Sequence, residues 1–337
     1  MRSVALLCWR VWLTLAISTA CFPALAQEPG VLPIQIKSRF ISNFRLGSAE
    51  TRFGSFEFIG GLDMSSASER FGSMSAFHFL DAGRRFLGVT DTGSWYAGRI
   101  VRDAKSRPVA VEDYRLAPIL GGDGLPLDGK RDSDAEGMNV SGQTVTVSFE
   151  RNHRIAEYKL DLESFASLPK ILPLPIPKEE LRTNRGIETV AYAPANSPLQ
   201  GARVAVTEMS LNKAGNIFAA VLEGPRKGTF YVQRKDGFDI SDGDFLPDGD
   251  LLLLERKYSI ITGISIRLRR ISGDSIKPGV TVDGPMLLDA DLSYQIDNME
   301  GLDVWQAADG STRVSMMSDD NFSVVQRNLY LEFRLAE

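Results

Sequence analysis

Acidic residues recur at the two ends of short apolar stretches in this sequence. The copies pair Glu136 with Glu150, Glu188 with Glu208, Asp242 or Asp244 with Glu255, Glu300 with Asp319 and Asp320, and more loosely Asp63 with Asp91. Carboxylates and the amide oxygens near them are hard-oxygen ligands suited to Ca²⁺. The chemistry that such residues perform depends on whether the fold gathers them in one place.

The spacing of these pairs predicts the fold. The copies begin near residues 63, 136, 188, 244 and 300, about fifty residues apart, which is the range of propeller blades. About four short β-branched or aromatic runs, separated by Gly, Asp, Asn and Pro, fit between successive starts. The sequence therefore predicts an all-β β-propeller of five or six four-stranded blades. We expect the ring to be closed by an N-terminal strand, within 34–46, because the last repeat ends after three strands.

A propeller would bring the acids together. In an antiparallel hairpin the start of the first strand and the end of the second lie at the same end of the sheet, and the first strand lines the central channel. Like charges about 4 Å apart repel by about 4 kcal/mol at an effective dielectric of about 20. Raised pKa values, interleaved cations or a bound metal would relieve this repulsion. The alternative is that these acids only join neighbouring blades by accepting hydrogen bonds.

Two sets of candidate site residues follow from this arrangement. We predict as metal ligands Glu136, Glu188, Glu300, Asp319 and Asp320, and as catalytic residues Glu150, Glu208, Glu255, Arg151, Arg185 and Arg256. The arginines either neutralise neighbouring acids or bind an anionic substrate such as a phosphate.

Few histidine or cysteine side chains outside the leader could bind zinc, because only two histidines and no cysteine lie there. His153 is either a proton carrier or a surface histidine, and His78 either packs or faces solvent. Both cysteines, Cys8 and Cys21, lie in the leader described below, so zinc is not expected and Ca²⁺ is the expected cofactor.

The first 26 residues predict a signal peptide cleaved after Ala26, leaving one domain over 27–337. A lipoprotein anchored through Cys21 is the alternative. Of 38 basic residues two lie in the leader, so the remaining 36 face 43 acidic ones, which argues against nucleic acid as a partner. No second apolar run is long enough to span a bilayer. We expect a periplasmic or secreted monomer.

The acidic motifs resemble those of the phytase-like, or "esterase-like activity of phytase", family of exported bacterial β-propeller proteins. The resemblance covers about 60–335 and rests on Asp134-Ala135-Glu136-Gly137, Ser148-Phe149-Glu150-Arg151, Asn184-Arg185-Gly186-Ile187-Glu188, Leu253-Leu254-Glu255-Arg256, Asp297-Asn298-Met299-Glu300-Gly301-Leu302 and Ser318-Asp319-Asp320-Asn321-Phe322. The first copy, Gly61-Leu62-Asp63-Met64, lacks the Glu-Gly pair. The resemblance implies a phosphoester hydrolase in which Ca²⁺ offsets the charge of carboxylates and phosphate.

The sequence therefore leaves two hypotheses for the function of the protein. The first is an exported calcium-dependent hydrolase of a small phosphorylated substrate. The second is a non-catalytic propeller that binds a ligand or a protein partner. A serine esterase is not supported, because the sequence has no Gly-x-Ser-x-Gly motif, and the lack of an Arg-His-Gly motif argues against a histidine acid phosphatase.

Overall fold

Five β-sheets form the blades of a propeller in the computed structural model, which describes residues 30–336. The prediction of an all-β propeller is confirmed, with five blades rather than six. The predicted signal peptide and both cysteines lie outside the described residues. No helix within residues 30–336 is long and apolar enough to cross a membrane.

The chain begins with four strands that join sheets formed later: β1 (Leu32–Pro33), β2 (Lys37–Ile41), β3 (Arg52–Phe53) and β4 (Phe56–Ser65). Blade 1 follows with β5 (Met74–Phe79), β6 (Arg85–Thr90), β7 (Ser94–Arg102) and β8 (Pro108–Pro118). Blade 2 contains β9 (Ala135–Ser141), β10 (Thr144–Phe149), β11 (Arg154–Lys159) and β12 (Lys170–Leu172). Blade 3 contains β13 (Ile187–Tyr192), β14 (Arg203–Leu211), β15 (Ile217–Val221) and β16 (Gly228–Val232).

Blades 4 and 5 complete the ring. Blade 4 contains β17 (Asp239–Phe245), β18 (Leu251–Ser259), β19 (Gly263–Ile271) and β21 (Met286–Ala290), while β20 (Thr281–Val282) pairs in parallel with β16 of blade 3. Blade 5 contains β22 (Met299–Gln306), β23 (Thr312–Ser318) and β24 (Asn328–Leu335). The helical turns are short: α1 (Lys130–Ser133) and 3₁₀ turns at Lys178–Glu180 and Gly273–Ser275.

The N-terminal part of the chain closes the ring. Strand β4 pairs along its whole length with β24, and β2 pairs on the outer side of β4. The segment expected to close the ring, 34–46, therefore provides a fifth strand, and β4 provides the fourth. Asp63 belongs to blade 5 and does not begin a first repeat, because the first strand of blade 1 is β5.

The hydrophobic core is divided among the interfaces between neighbouring blades. Between blades 4 and 5, for example, Leu254 and Ile266 pack with Met316 and Leu331. The apolar runs predicted as strands are buried on both faces because each blade is covered by its two neighbours. These five interfaces hold the first strands in a ring around the central channel.

Glu255, expected at the channel mouth among the catalytic residues, instead lies inside blade 4. Its side chain is only 1% exposed and forms ion pairs with Arg267 and Arg269 of β19. Each arginine has a second acidic partner, Asp236 at 3.0 Å from Arg267 and Asp283 at 2.9 Å from Arg269. Glu255 therefore has a structural role in joining β18 to β19.

We predict that Glu255→Ala destabilises the protein by about 3–5 kcal/mol, because it leaves two buried guanidinium groups without their shared carboxylate. Urea unfolding followed by circular dichroism measures the loss. Glu112→Ala is the control, since Glu112 pairs with Arg99 on an exposed surface where solvent screens the interaction. Equal losses in the two variants would contradict a structural role for Glu255.

Candidate functional site

A β-bulge interrupts the first strand of every blade near its beginning. The register shifts between Met74 and Ala76, Ala135 and Met138, Ile187 and Thr189, Ile240 and Asp242, and Met299 and Gly301. The residues in the bulges are Ser75, Glu136 with Gly137, Glu188, Ser241 and Glu300. A bulge breaks the alternation of a strand and redirects the side chain of its extra residue. The side chains of Ser75, Glu136, Glu188 and Glu300 line a single cavity at one mouth of the channel.

The second strand of each blade ends beside the bulge. In each blade one pair lies directly before the bulge, and the next residue of the second strand is Asp91 in blade 1, Glu150 in blade 2, Glu208 in blade 3, Arg256 in blade 4 and Asp319 in blade 5. In blade 4 the position equivalent to Glu150 and Glu208 is thus Arg256. Glu255 pairs directly with Ile240, and a displacement of one residue along a strand turns the side chain to the opposite face.

These two sets of residues form a strongly acidic cavity of about 360 Å³. We call its eight carboxylates the acid ring: Asp91, Asp134, Glu136, Glu150, Glu188, Glu208, Glu300 and Asp319. The cations in its wall are Lys130, Arg151 and Arg256. The prediction that acids from distant blades converge on one mouth therefore matches the structure.

Each of these cations contacts acids of the ring. The Arg256 guanidinium contacts Glu300 and lies 3.7 Å from Glu208. Arg151 and Lys130 lie 2.7 and 2.6 Å from Asp134. Of the three arginines predicted as catalytic, the structure therefore places two in the ring wall.

Arg185 and Asp320 lie outside the cavity wall. Arg185 is at its edge, 42% exposed and 3.5 Å from Glu208. The Asp320 carboxylate accepts hydrogen bonds from the backbone N–H of Phe322 at 3.1 Å and from the Asn328 amide at 2.7 Å. Asp320, predicted as a metal ligand, therefore stabilises the loop after β23.

Five carboxylates of the acid ring have raised pKa values and so bind protons more tightly than exposed carboxylates do. Burial, with the neighbouring Asp134, raises the pKa of Glu150 to about 7. Burial also raises the pKa of Glu208 to about 7 and that of Asp319 to about 8. Burial and adjacent acids raise the pKa of Glu136 and of Glu188 well above the usual range.

Two groups of three acids have the geometry of cation sites. Asp134, Glu136 and Glu150 each offer an oxygen within 4.8 Å of the others, and so do Glu150, Glu188 and Glu208. Oxygens bound to one Ca²⁺ at about 2.3–2.6 Å lie at most about 5 Å apart. The carboxyl groups of Glu150 and Glu188 also share a side-chain hydrogen bond. The oxygen-only donor set fits calcium, and Glu150 is common to both groups.

The two other predicted metal ligands are already engaged. Glu300 contacts Arg256 and accepts a hydrogen bond of 2.8 Å from the Asn298 amide. Asp319 accepts one of 2.7 Å from the backbone N–H of Asn321. Both remain in the ring but outside the two groups of three.

Sequence reasoning missed Asp91, Lys130 and Asp134 as site residues. Asp134 directly precedes the Ala-Glu-Gly motif, and Asp91 ends the loosest repeat, so both had a signal. Lys130 lies on α1 within a long polar loop, and nothing in its neighbours predicts that it reaches Asp91.

Acids deeper in the channel join the blades. Asp242 accepts a hydrogen bond of 2.7 Å from the Leu302 N–H, and Asp244 one of 3.0 Å from the Val304 N–H. Asp303 in turn accepts one of 3.0 Å from the Phe79 N–H of blade 1. For these deeper acids the structure therefore agrees with the alternative that repeat acids join neighbouring blades by accepting hydrogen bonds.

Both histidines are at least partly enclosed. His78 lies 2.6 Å from Asp303 deep in the channel, and although burial opposes its charge, Asp303 and Asp244 raise the pKa of His78. His153 is buried near the Glu150 carboxylate and packs against Gly186, and burial lowers its pKa. The interpretation of His153 as a surface histidine is wrong.

Comparison with solved structures finds distant similarity. The PQQ-bound aldose sugar dehydrogenase of Streptomyces coelicolor is 12% identical, and the match covers 90% of this chain and 99% of that one with a TM-score of 0.45. The endo-arabinase of Bacteroides thetaiotaomicron is also 12% identical, and the match covers 78% of this chain and 93% of that one with a TM-score of 0.47. The curated proteins contain no match.

A protein-family comparison identifies the relationship directly. The model described as "Phytase-like: Esterase-like activity of phytase" matches residues 69–322. This match runs from the loop before β5 to the loop after β23, and so contains the whole acid ring. The chain therefore belongs to the phytase-like family of β-propeller proteins.

Proposed function

We propose that this propeller is a calcium-dependent phosphoester hydrolase that acts on a small phosphorylated substrate at the acid ring. The observation that carries the proposal is the pair of three-carboxylate groups joined through Glu150. When all eight carboxylates are ionised they outnumber the three cations, and the resulting excess of negative charge would repel a phosphate. Divalent cations in the two groups would neutralise the acids and attract the anionic substrate.

The contacts of the ring residues assign them different roles in cation binding and substrate orientation. Asp134, Glu136 and Glu150 would hold one ion, and Glu188 and Glu208 would share Glu150 in holding a second. Bound Ca²⁺ would supply Lewis-acid polarisation of the phosphoryl oxygens. Arg256 contacts Glu300 and lies near Glu208, so its guanidinium is held at the ring where it can orient a phosphoryl oxygen.

Proton transfer requires a group outside the two cation sites. In hydrolysis the oxygen of water bonds to phosphorus and the water gives up one proton, while the ester P–O bond breaks and the leaving alcohol oxygen gains one proton. Asp319 lies outside both groups of three, and burial raises its pKa to about 8, which favours its protonated form at neutral pH. It is therefore suited to donate the proton to the leaving alcohol.

The second candidate is a non-catalytic propeller that binds calcium and a ligand. The observation in its favour is that Lys130, Arg151 and Arg256 are each already paired with an acid of the ring. Binding of calcium and a phosphorylated ligand without turnover would select this candidate.

We predict that residues 27–337 hydrolyse 4-nitrophenyl phosphate or inositol hexakisphosphate with Ca²⁺, and that EDTA abolishes this turnover. Glu150→Gln should lower kcat/KM by more than about 100-fold, beyond the 10–100-fold that outer-shell partners of a metal contribute, because it weakens both cation sites. Asp248→Asn, on the turn at the opposite end of blade 4, is the control. No turnover of either substrate under any of these conditions would exclude a phosphatase.

We also predict that the melting temperature of the calcium-free protein falls as pH rises from 5 to 8. Glu150 and Glu208 have pKa values of about 7 in the folded protein against an ordinary 4.5. Their contribution to stability is complete below the ordinary pKa of 4.5, and it is lost as pH rises through the folded-state pKa of about 7. Calcium binds the ionised acids, so a fixed excess of Ca²⁺ should raise the melting temperature more at pH 8 than at pH 5.

Differential scanning calorimetry with EDTA and with Ca²⁺ at both pH values measures these shifts. The double variant Glu150→Gln, Glu208→Gln is the control and should show a weaker dependence on both pH and calcium. A melting temperature of the wild type that responds to neither pH nor calcium would count against cation binding at the ring.

A further inference from the structure

A second cavity, of about 570 Å³, lies beside the acid ring at blade 1. We call it the annex. Its wall combines the apolar residues Leu116, Pro118, Leu127 and Phe322 with the polar residues Thr90 and Thr92. Glu69 and Arg70 also line it, so the charges of its wall balance. This volume and this mixture of apolar surface with a few polar groups are typical of a small-molecule site.

The annex and the acid ring share a thin wall. Asp91 belongs to the ring, while the residues on either side of it, Thr90 and Thr92, line the annex. Successive side chains at the end of a strand point to opposite sides, so the chain here is a partition one residue thick. A second partition is formed by Asn321, which lines the ring cavity, and Phe322, which lines the annex.

One loop also contributes to both cavities. The connection between β8 and β9 brings Leu127 to the annex and, three residues later, Lys130 to the ring. Lys130 forms ion pairs with Asp91 in the partition and with Asp134 in the first cation group. The two cavities therefore adjoin at Asp91, Lys130 and Asn321, where the alcohol part of a phosphoester bound at the ring would pass over the partition into the annex.

We propose that the annex binds the alcohol part of the substrate, and that the protein prefers phosphoesters of an apolar alcohol to polyphosphorylated ones. This inference rests on the proposed function of the acid ring. Apolar alkyl or aryl groups would be removed from water against Leu116, Leu127 and Phe322. Additional phosphate groups would enter a cavity in whose wall Glu69 offsets the charge of Arg70. The free energy lost when these phosphates leave water would therefore not be compensated by ion pairs.

Alkyl phosphates of different length test this preference, since their leaving alcohols have similar acidity. With Ca²⁺ present, kcat/KM for hexyl phosphate and 2-phenylethyl phosphate should exceed that for methyl phosphate by at least about tenfold. Inositol hexakisphosphate should be a poorer substrate than hexyl phosphate. Equal kcat/KM for methyl and hexyl phosphate would overturn the assignment of the annex.

Filling the annex tests its location. Thr92 is exposed at the turn between β6 and β7, so Thr92→Trp can fill the cavity without disturbing the core. This variant should lose at least about tenfold in kcat/KM for hexyl phosphate and change little for methyl phosphate. Thr262→Trp, also exposed, on the hairpin turn between β18 and β19, is the matched control and should change neither. An equal loss for both substrates in Thr92→Trp would contradict the proposal.

A binding measurement separates this inference from the proposed function. If no phosphoester is hydrolysed, the proposed hydrolase fails, and calorimetric titration with methyl and hexyl phosphate in Ca²⁺ then tests the annex alone. Hexyl phosphate binding at least about tenfold more tightly to the wild type, but not to Thr92→Trp, would support the annex. Equal affinities of the wild type for the two phosphates would refute it.

Discussion

The acid ring depends on a β-bulge at the same point in the first strand of each blade. The bulge turns Glu136, Glu188 and Glu300 into the channel mouth, while the rest of each strand keeps its apolar side chains in the interfaces between blades. Side-chain hydrogen bonds replace the backbone hydrogen bonds that the bulge interrupts. In blade 2 the Ser148 hydroxyl accepts a hydrogen bond from the Gly137 N–H and donates one to the Ile187 carbonyl of blade 3. The same residues thus support the bulge and the contact between blades.

The propeller contains two kinds of buried acid with different consequences. Asp242 and Asp303 accept backbone hydrogen bonds from the next blade and so join the ring of blades. Glu136 and Glu188 have other carboxylates as their neighbours, and their burial together with that repulsion raises the pKa of both. The apolar interfaces between blades hold these acids together at a cost in stability, as the proposed cation sites require.

The fold was predictable from the sequence because the period of the repeat and the turn residues are local signals. The pairing of the acids was also predictable, since it follows from hairpin geometry. The exact directions of the side chains were not predictable from the sequence. Glu255 looks like the counterpart of Glu208, and only the register beside the bulge shows that Arg256 occupies that position. Strand β4 also reads as the start of a blade, and its pairing with β24 depends on contacts with the opposite end of the chain.

The proposed function requires cations at two adjacent positions that share Glu150, next to a cavity for the rest of the substrate. Anomalous diffraction from crystals grown with Ca²⁺ tests this requirement most directly. We expect one anomalous peak among Asp134, Glu136 and Glu150 and a second among Glu150, Glu188 and Glu208. Crystals in saturating calcium at pH 8 that show no anomalous density in the acid ring would contradict it.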